Sequence, residues 1–141
     1  MIDGALLLLV EDDLDEREIF VRAAKEMNPA FRCFTASDAD DAMSLLKDEN
    51  SFLPDFIFLD LNLSGIDGKT FLKELKEDSQ LKEIPVIIYT TSFSMDEAAE
   101  CMMFGASAFI TKPLRIADIR DAIWRAVSHA HVSLKNRLKK Q

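Results

Sequence analysis

Several residues able to do chemistry stand directly after short apolar runs. Glu11, Asp12 and Asp13 follow the run at 5–10, Asp60 and then Asn62 follow the run at 56–59, Thr90 and Thr91 close the run at 86–90, and Lys112-Pro113 follow the run at 108–111. If Glu11, Asp12 and Asp60 meet in a partly desolvated cleft, their charges repel. A hard divalent cation removes that conflict, and Mg²⁺ suits it, because it takes oxygen ligands, uses few carboxylates and keeps several waters. Lys112 would supply a second positive charge opposite the metal, and Thr90 a neutral hydroxyl donor. Together such groups bind three phosphoryl oxygens while a carboxylate oxygen attacks phosphorus in line. The pattern asks for a phosphoryl donor.

The elements that would bring these residues together alternate along the chain. Five apolar runs, at 5–10, 31–35, 56–59, 86–90 and 108–111, read as strands that are apolar on consecutive residues, as expected when both faces of a parallel sheet are covered. Between them lie segments with helical spacing. Asp13-x-x-Glu16 and Ser94-x-x-Glu97 are capping-box patterns for the first and fourth helices. Ser37 or Asp38 caps the second, with Ala42, Leu45 and Leu46 on one side. The third follows Asp67-Gly68, with Phe71, Leu72 and Leu75 facing inward. The last starts near Ile116 and carries Ile119, Ile123, Val127 and Val132 in one stripe. The expected architecture is (βα)₅, an α/β fold with a doubly wound parallel five-stranded sheet and helices on both faces. In such a sheet ligands bind outside the carboxyl ends of the strands, where the chemical residues fall.

The 141 residues suit one domain, 1–141, with a core at about 5–130 and a C-terminal helix extension with a basic tail at 131–141. Cys33 and Cys101 are far apart without zinc-ligand spacing, and read as core or half-buried thiols in a reducing compartment. The run at 6–10 is too short to cross a bilayer and no basic segment precedes it, so a cytoplasmic protein without membrane contact is expected. A net charge of −8 speaks against nucleic acid as a partner. The basic cluster Lys135, Arg137, Lys139 and Lys140 reads as a solvated helix end complementing the helix dipole. Asp38, Asp40 and Asp41 read as a solvated helix face.

Over residues 6 to about 127 the sequence resembles the response-regulator receiver family of two-component signalling. The match is carried by Leu-Leu-Leu-Val-Glu11-Asp12-Asp13 with Arg17, by Pro54-Asp55-Phe-Ile-Phe-Leu-Asp60-Leu-Asn62-Leu-Ser-Gly-Ile-Asp67-Gly68, by Pro85-Val-Ile-Ile-Tyr-Thr90-Thr91, and by Gly105-Ala-Ser-Ala-Phe109-Ile-Thr-Lys112-Pro113. The resemblance implies the flavodoxin-like strand order 2-1-3-4-5 and the phosphoacceptor at Asp60. It implies Mg²⁺ held by Glu11, Asp12, Asp60 and the backbone carbonyl of Asn62, with Lys112 and Thr90 serving the phosphoryl group. Thr90 and Phe109 would form the switch pair, Asn62 and Ser92 would tune hydrolysis, and Lys112-Pro113 would be cis. Two positions depart from the family. Ser64 replaces the usual proline, so a looser loop is expected, and Phe109 replaces the commoner tyrosine, so recognition on that face rests on shape.

The resemblance further implies a non-enzymatic phosphoacceptor that assists its own phosphorylation and dephosphorylation. Its donor would be a sensor histidine kinase or a histidine phosphotransfer protein. The chain ends with the fifth helix, so a stand-alone receiver signalling through contact with a downstream protein is expected, with a homodimer through the long last helix as a further option. A dehalogenase-type phosphatase would need an aspartate at Asn62 and its nucleophile on the first strand. A flavin binder would need a glycine-rich phosphate loop where Glu11, Asp12 and Asp13 stand. The remaining alternative is a phosphorylation-independent pseudo-receiver that serves as a protein-binding module.

Overall fold

A strand that is apolar at every position must be covered on both faces, and the chain achieves this by returning a helix after each strand. The computed structural model describes residues 4–51 and 53–139, with side chains as far as residue 130. In order come β1 (Leu6–Val10), α1 (Leu14–Met27), β2 (Arg32–Ala36), α2 (Ala39–Lys47), β3 (Phe56–Leu59), α3 (Gly68–Glu77), β4 (Val86–Thr90), α4 (Met95–Met103), β5 (Ala108–Thr111) and α5 (Ile116–Lys139). All strand pairs are parallel and the sheet order is β2-β1-β3-β4-β5.

Side-chain alternation splits the core into two layers. Leu8, Val10, Ile57, Leu59, Val86 and Ile88 meet α2, α3 and α4 on one face. Leu7, Leu9, Phe56, Phe58, Ile87 and Tyr89 meet α1 and α5 on the other. The three central strands are buried along their whole length, as their continuous apolar runs require. The edges are not: along β2, Arg32 and Phe34 are exposed while Cys33 and Thr35 are half-buried, and β5 is only half-buried. The expectation of five fully covered strands is therefore corrected at both edges, where the covering helices leave part of the sheet open. β2 also begins one residue later than its apolar run. Phe31 is buried, but its N–H turns back to the Asn28 carbonyl at 3.0 Å, and pairing starts with Arg32 on Ala5.

Each of the first four helices starts at a side-chain cap. Asp13, Asp38, Asp67 and Ser94 accept from the N–H of Glu16, Asp41, Thr70 and Glu97. A cap of this kind contributes about 1 kcal/mol. Asp38 is thus a cap, while Asp40 and Asp41 lie exposed as expected. On α5 the buried stripe is Ile119, Ile123, Ala126, Val127 and Ala130. Val132 and the side chains of the basic cluster at 135–140 lie outside the described residues. Among the described residues no helix is long and apolar enough to cross a membrane.

Candidate metal centre and its lysine

Sheet order reverses at β1 and β3, because the chain passes from β1 to β2 on one side and then returns to β3 on the other. That reversal opens a crevice at the carboxyl ends of the two strands. Val10 is in register with Leu59, so the next residues, Glu11 and Asp60, emerge side by side. Their backbones continue the ladder: the Glu11 N–H bonds to Ala36 O at 2.9 Å and the Asp60 N–H to Val10 O at 3.1 Å. Ligand atoms of Glu11, Asp12 and Asp60 all lie within 4.8 Å of one another. Glu11 and Asp60 are buried and Asp12 is exposed, so the trio opens to solvent on one side.

Neighbouring groups fix each acid. The Asp13 N–H donates to Glu11 Oε2 at 3.2 Å, and Arg17 Nη1 donates to the Glu11 carbonyl at 2.8 Å. Ser64 Oγ donates to Asp12 Oδ2 at 3.1 Å. The loop expected to be looser for want of a proline is instead tied to the opposite strand end by the serine hydroxyl. The Asn62 N–H donates to Asp60 Oδ1 at 3.0 Å, and Asn62 Nδ2 donates to Thr90 Oγ1 at 3.3 Å. Thr90 is fully buried. Ser92 and Asn62 are both exposed.

Lys112 leaves the end of β5, two strands from Asp60. The gap is about 10 Å at ordinary strand spacing, which only a long side chain can span. Its backbone N–H is held by Thr90 O at 2.7 Å, and its ammonium lies 5.7 Å from the centroid of the Tyr89 ring. Lys112 Nζ donates to Asp60 Oδ2 at 3.0 Å, to Glu16 Oε2 at 2.9 Å and to Glu11 Oε1. The Lys112–Pro113 bond is trans, against the cis form that the family resemblance implied. A trans X–Pro bond is the lower-energy isomer by about 0.5–1 kcal/mol wherever the surroundings do not impose cis.

One ammonium thus faces Glu11, Asp60 and Glu16, with Asp12 beside them. Burial pushes the Glu11 carboxyl up to about 7; the Lys112 hydrogen bond opposes this and the Asp60 charge adds to it. Burial also works against the charge of Lys112, but its hydrogen bonds to Glu11, Glu16 and Asp60 outweigh that and hold it above the usual ammonium range. The donor set fits a hard divalent cation. It is all oxygen, carries more negative charge than one lysine neutralises, and is half open to water, as a cation that keeps waters requires.

Sequence reasoning gave Glu16 only a capping role, and the structure corrects this. Its N–H is capped by Asp13 at 3.0 Å, but its carboxylate goes to Lys112, and the Asp13 N–H is taken by Glu11 instead. A buried ammonium is a stronger partner for a carboxylate than a solvent-accessible amide. Glu16's place in the first turn after the acidic loop was visible in the sequence; its meeting with a lysine 96 residues away was not. Phe109 is half-buried, and its ring stands edge-on to that of the exposed Phe93 at 6.3 Å between centroids. Cys33 is half-buried, with burial pushing its thiol up to about 12, and Cys101 is buried.

Known proteins share this geometry. The family described as the response regulator receiver domain matches residues 7–124. Response regulator Rcp1 of Synechocystis is 31% identical over 118 residues, covering 81% of this chain and 80% of that protein. Two-component response regulator ARR15 of Arabidopsis thaliana is 31% identical over 123 residues, and the match spans 58% of its length. Among solved structures, the Mn²⁺-bound form of Rcp1 superposes with a TM-score of 0.75 at 30% identity, covering 84% of this chain and 88% of that one. The phosphorylated cyanobacterial phytochrome response regulator RcpA gives 0.76 at 29% identity with the same coverage.

Proposed function

The chain belongs to the response regulator receiver family, and on that premise we propose that it is a phosphorylation switch that accepts a phosphoryl group on Asp60. One observation carries this reading: Asp60 is buried within a carboxylate trio that suits a cation, and its Oδ2 lies 3.0 Å from the lysine ammonium. The donor is a phosphohistidine on a sensor histidine kinase or a histidine phosphotransfer protein. An Asp60 carboxylate oxygen forms the new P–O bond as the P–N bond breaks, and the imidazole leaves with the electron pair of that bond. Lys112 turns its ammonium to a phosphoryl oxygen and lowers the barrier by fixed positive charge.

Glu11, Asp12, Asp60 and the Asn62 carbonyl would hold Mg²⁺, for which the Mn²⁺ of the Rcp1 structure is a precedent in a relative. When bound, that ion supplies positive charge opposite Lys112 and offsets the charge carried by the trio and the phosphoryl oxygens. Water later hydrolyses the acyl phosphate, with Asn62 and Ser92 at the mouth tuning its access. The chain acts as an acceptor that assists its own phosphorylation rather than as an enzyme on a separate substrate.

The readout begins at Thr90. Its hydroxyl accepts from Asn62 at rest and is the nearest neutral donor for a phosphoryl oxygen. A shift of Thr90 makes room for Phe109, which is poised half-buried at the next strand. The face of α4, β5 and α5 is then repacked and presented to a downstream protein. Such a change needs only a few kcal/mol between two packed states.

The test is an amide NMR titration with beryllofluoride and Mg²⁺, which together mimic an aspartyl phosphate. Shifts at Asp60, at Thr90–Ser94 and at Phe109 are expected in the wild type and none in Asp60→Asn. Shifts confined to the neighbours of Asp60 would reject the switch. No shifts at all would leave a phosphorylation-independent binding module.

A further inference from the structure

We infer that Glu16 is a positioning residue that holds the ammonium of Lys112 in the resting state and competes with the incoming phosphoryl group for it; this rests on the phosphoacceptor reading of Asp60. An ammonium has three N–H bonds, and all three are in use: on Glu11, on Asp60 Oδ2 at 3.0 Å and on Glu16 Oε2 at 2.9 Å. Two of these acceptors belong to the metal trio and Glu16 does not. A cation bound to the trio satisfies Glu11 and Asp60 and weakens their claim on Lys112. Nothing in the trio weakens that of Glu16.

Glu16 is also well placed to keep that claim. It sits in the first turn of α1, with its N–H fixed to Asp13 Oδ1 at 3.0 Å, so the helix delivers its carboxylate to one spot. Its side chain is 38% exposed against 6% for Lys112, so it is the partner that returns to water most cheaply when the contact breaks.

With phosphoramidate as donor the step balances simply. An Asp60 oxygen forms a P–O bond, the P–N bond breaks, and ammonia leaves with the electron pair of that bond and a proton. The dianionic group now on Asp60 needs a donor from Lys112, and the Glu16 contact must be given up for it. The Glu16 carboxylate also repels the arriving phosphoryl oxygens. Both effects have the same sign: Glu16 slows phosphorylation.

The experiment compares initial rates of phosphoryl gain by intact mass, with phosphoramidate and Mg²⁺, for the wild type, Glu16→Gln and Glu16→Asp. Thermal midpoints of the three are recorded without donor. Glu16→Gln is expected to gain the phosphoryl group about threefold to tenfold faster, the span of one charge-assisted hydrogen bond. Glu16→Asp keeps a charge in the first turn but is one methylene too short for the contact, and it is expected to be faster than wild type as well. A merely structural role predicts the opposite, a lower midpoint and a slower reaction. A Glu16→Gln rate at or below wild type overturns the inference, and so does a Glu16→Asp rate equal to wild type, which would make the effect one of diffuse charge. If the wild type labels and the variants gain nothing, only this inference fails. If the wild type does not label, the phosphoacceptor reading fails and takes the inference with it.

Discussion

At the scale of single residues, the conflict in the site is concentrated on Glu11. Burial raises its carboxyl to about 7 from an ordinary 4.5. Between those values the folded chain keeps a proton that the unfolded chain has released. The favourable contribution of this group is therefore complete below pH 4.5 and is lost as the pH rises through about 7. In metal-free buffer the wild type should lose stability relative to Glu11→Gln across that window, with a gap on the order of 1 kcal/mol at pH 8. Urea unfolding at pH 5 and pH 8 measures the gap, and equal stabilities at both would contradict it. Mg²⁺ at pH 8 should raise the thermal midpoint of the wild type by more than that of the variant. The sequence made Glu11, Asp12, Asp60, Thr90 and Lys112 legible because each follows an apolar run, and their convergence follows from a parallel sheet alone. It did not make Glu16 or Ser64 legible as part of the site. Their contacts, to Lys112 and to Asp12, join segments that no local pattern relates.

At the scale of elements, the approach of α3 to the phosphoacceptor loop sets the site. The Gly68 N–H bonds to Leu61 O at 3.1 Å, and a Cβ added to Gly68 would lie 2.6 Å from both the Asp60 carbonyl oxygen and Leu61 Cα. Main-chain atoms cannot swing aside as a side chain can. Gly68→Ala should therefore cost about 1–3 kcal/mol in urea unfolding and slow phosphoryl uptake, although every group of the site is intact. Unchanged stability and uptake would show that the loop yields freely. Helix starts were legible from Asp13, Asp67 and Ser94, and the three central strands from their unbroken apolar runs. The edges misled because Cys33 and Phe34 read as core residues, whereas an apolar residue on an edge strand need not be covered. The cis proline implied by resemblance was likewise absent, since a dipeptide does not fix its own isomer.

At the scale of the whole molecule, the site rests on a second core layer beneath it. Phe20, Phe58 and Tyr89 form an edge-to-face cluster with centroids 5.0, 5.4 and 6.3 Å apart, and Lys112 lies over the Tyr89 ring. Phe20→Ala should destabilise the chain by about 3–5 kcal/mol in urea unfolding, because it empties the centre of that layer. Fold class and layer order were legible from alternation alone. The signalling surface was not, because exposed apolar residues carry no periodic signal. Phe93, Met95 and Leu114 stand exposed in the segments after β4 and β5, on the side where the phosphoryl group would arrive. They offer a downstream protein apolar area on a chain whose net charge is −8. The measurement that bears most directly on the central claim is intact mass after reaction with phosphoramidate, with and without Mg²⁺, for the wild type and Asp60→Asn. The account predicts a gain of one phosphoryl group that requires the metal and disappears in the variant; a gain that survives Asp60→Asn, or none in the wild type under any condition, would contradict it.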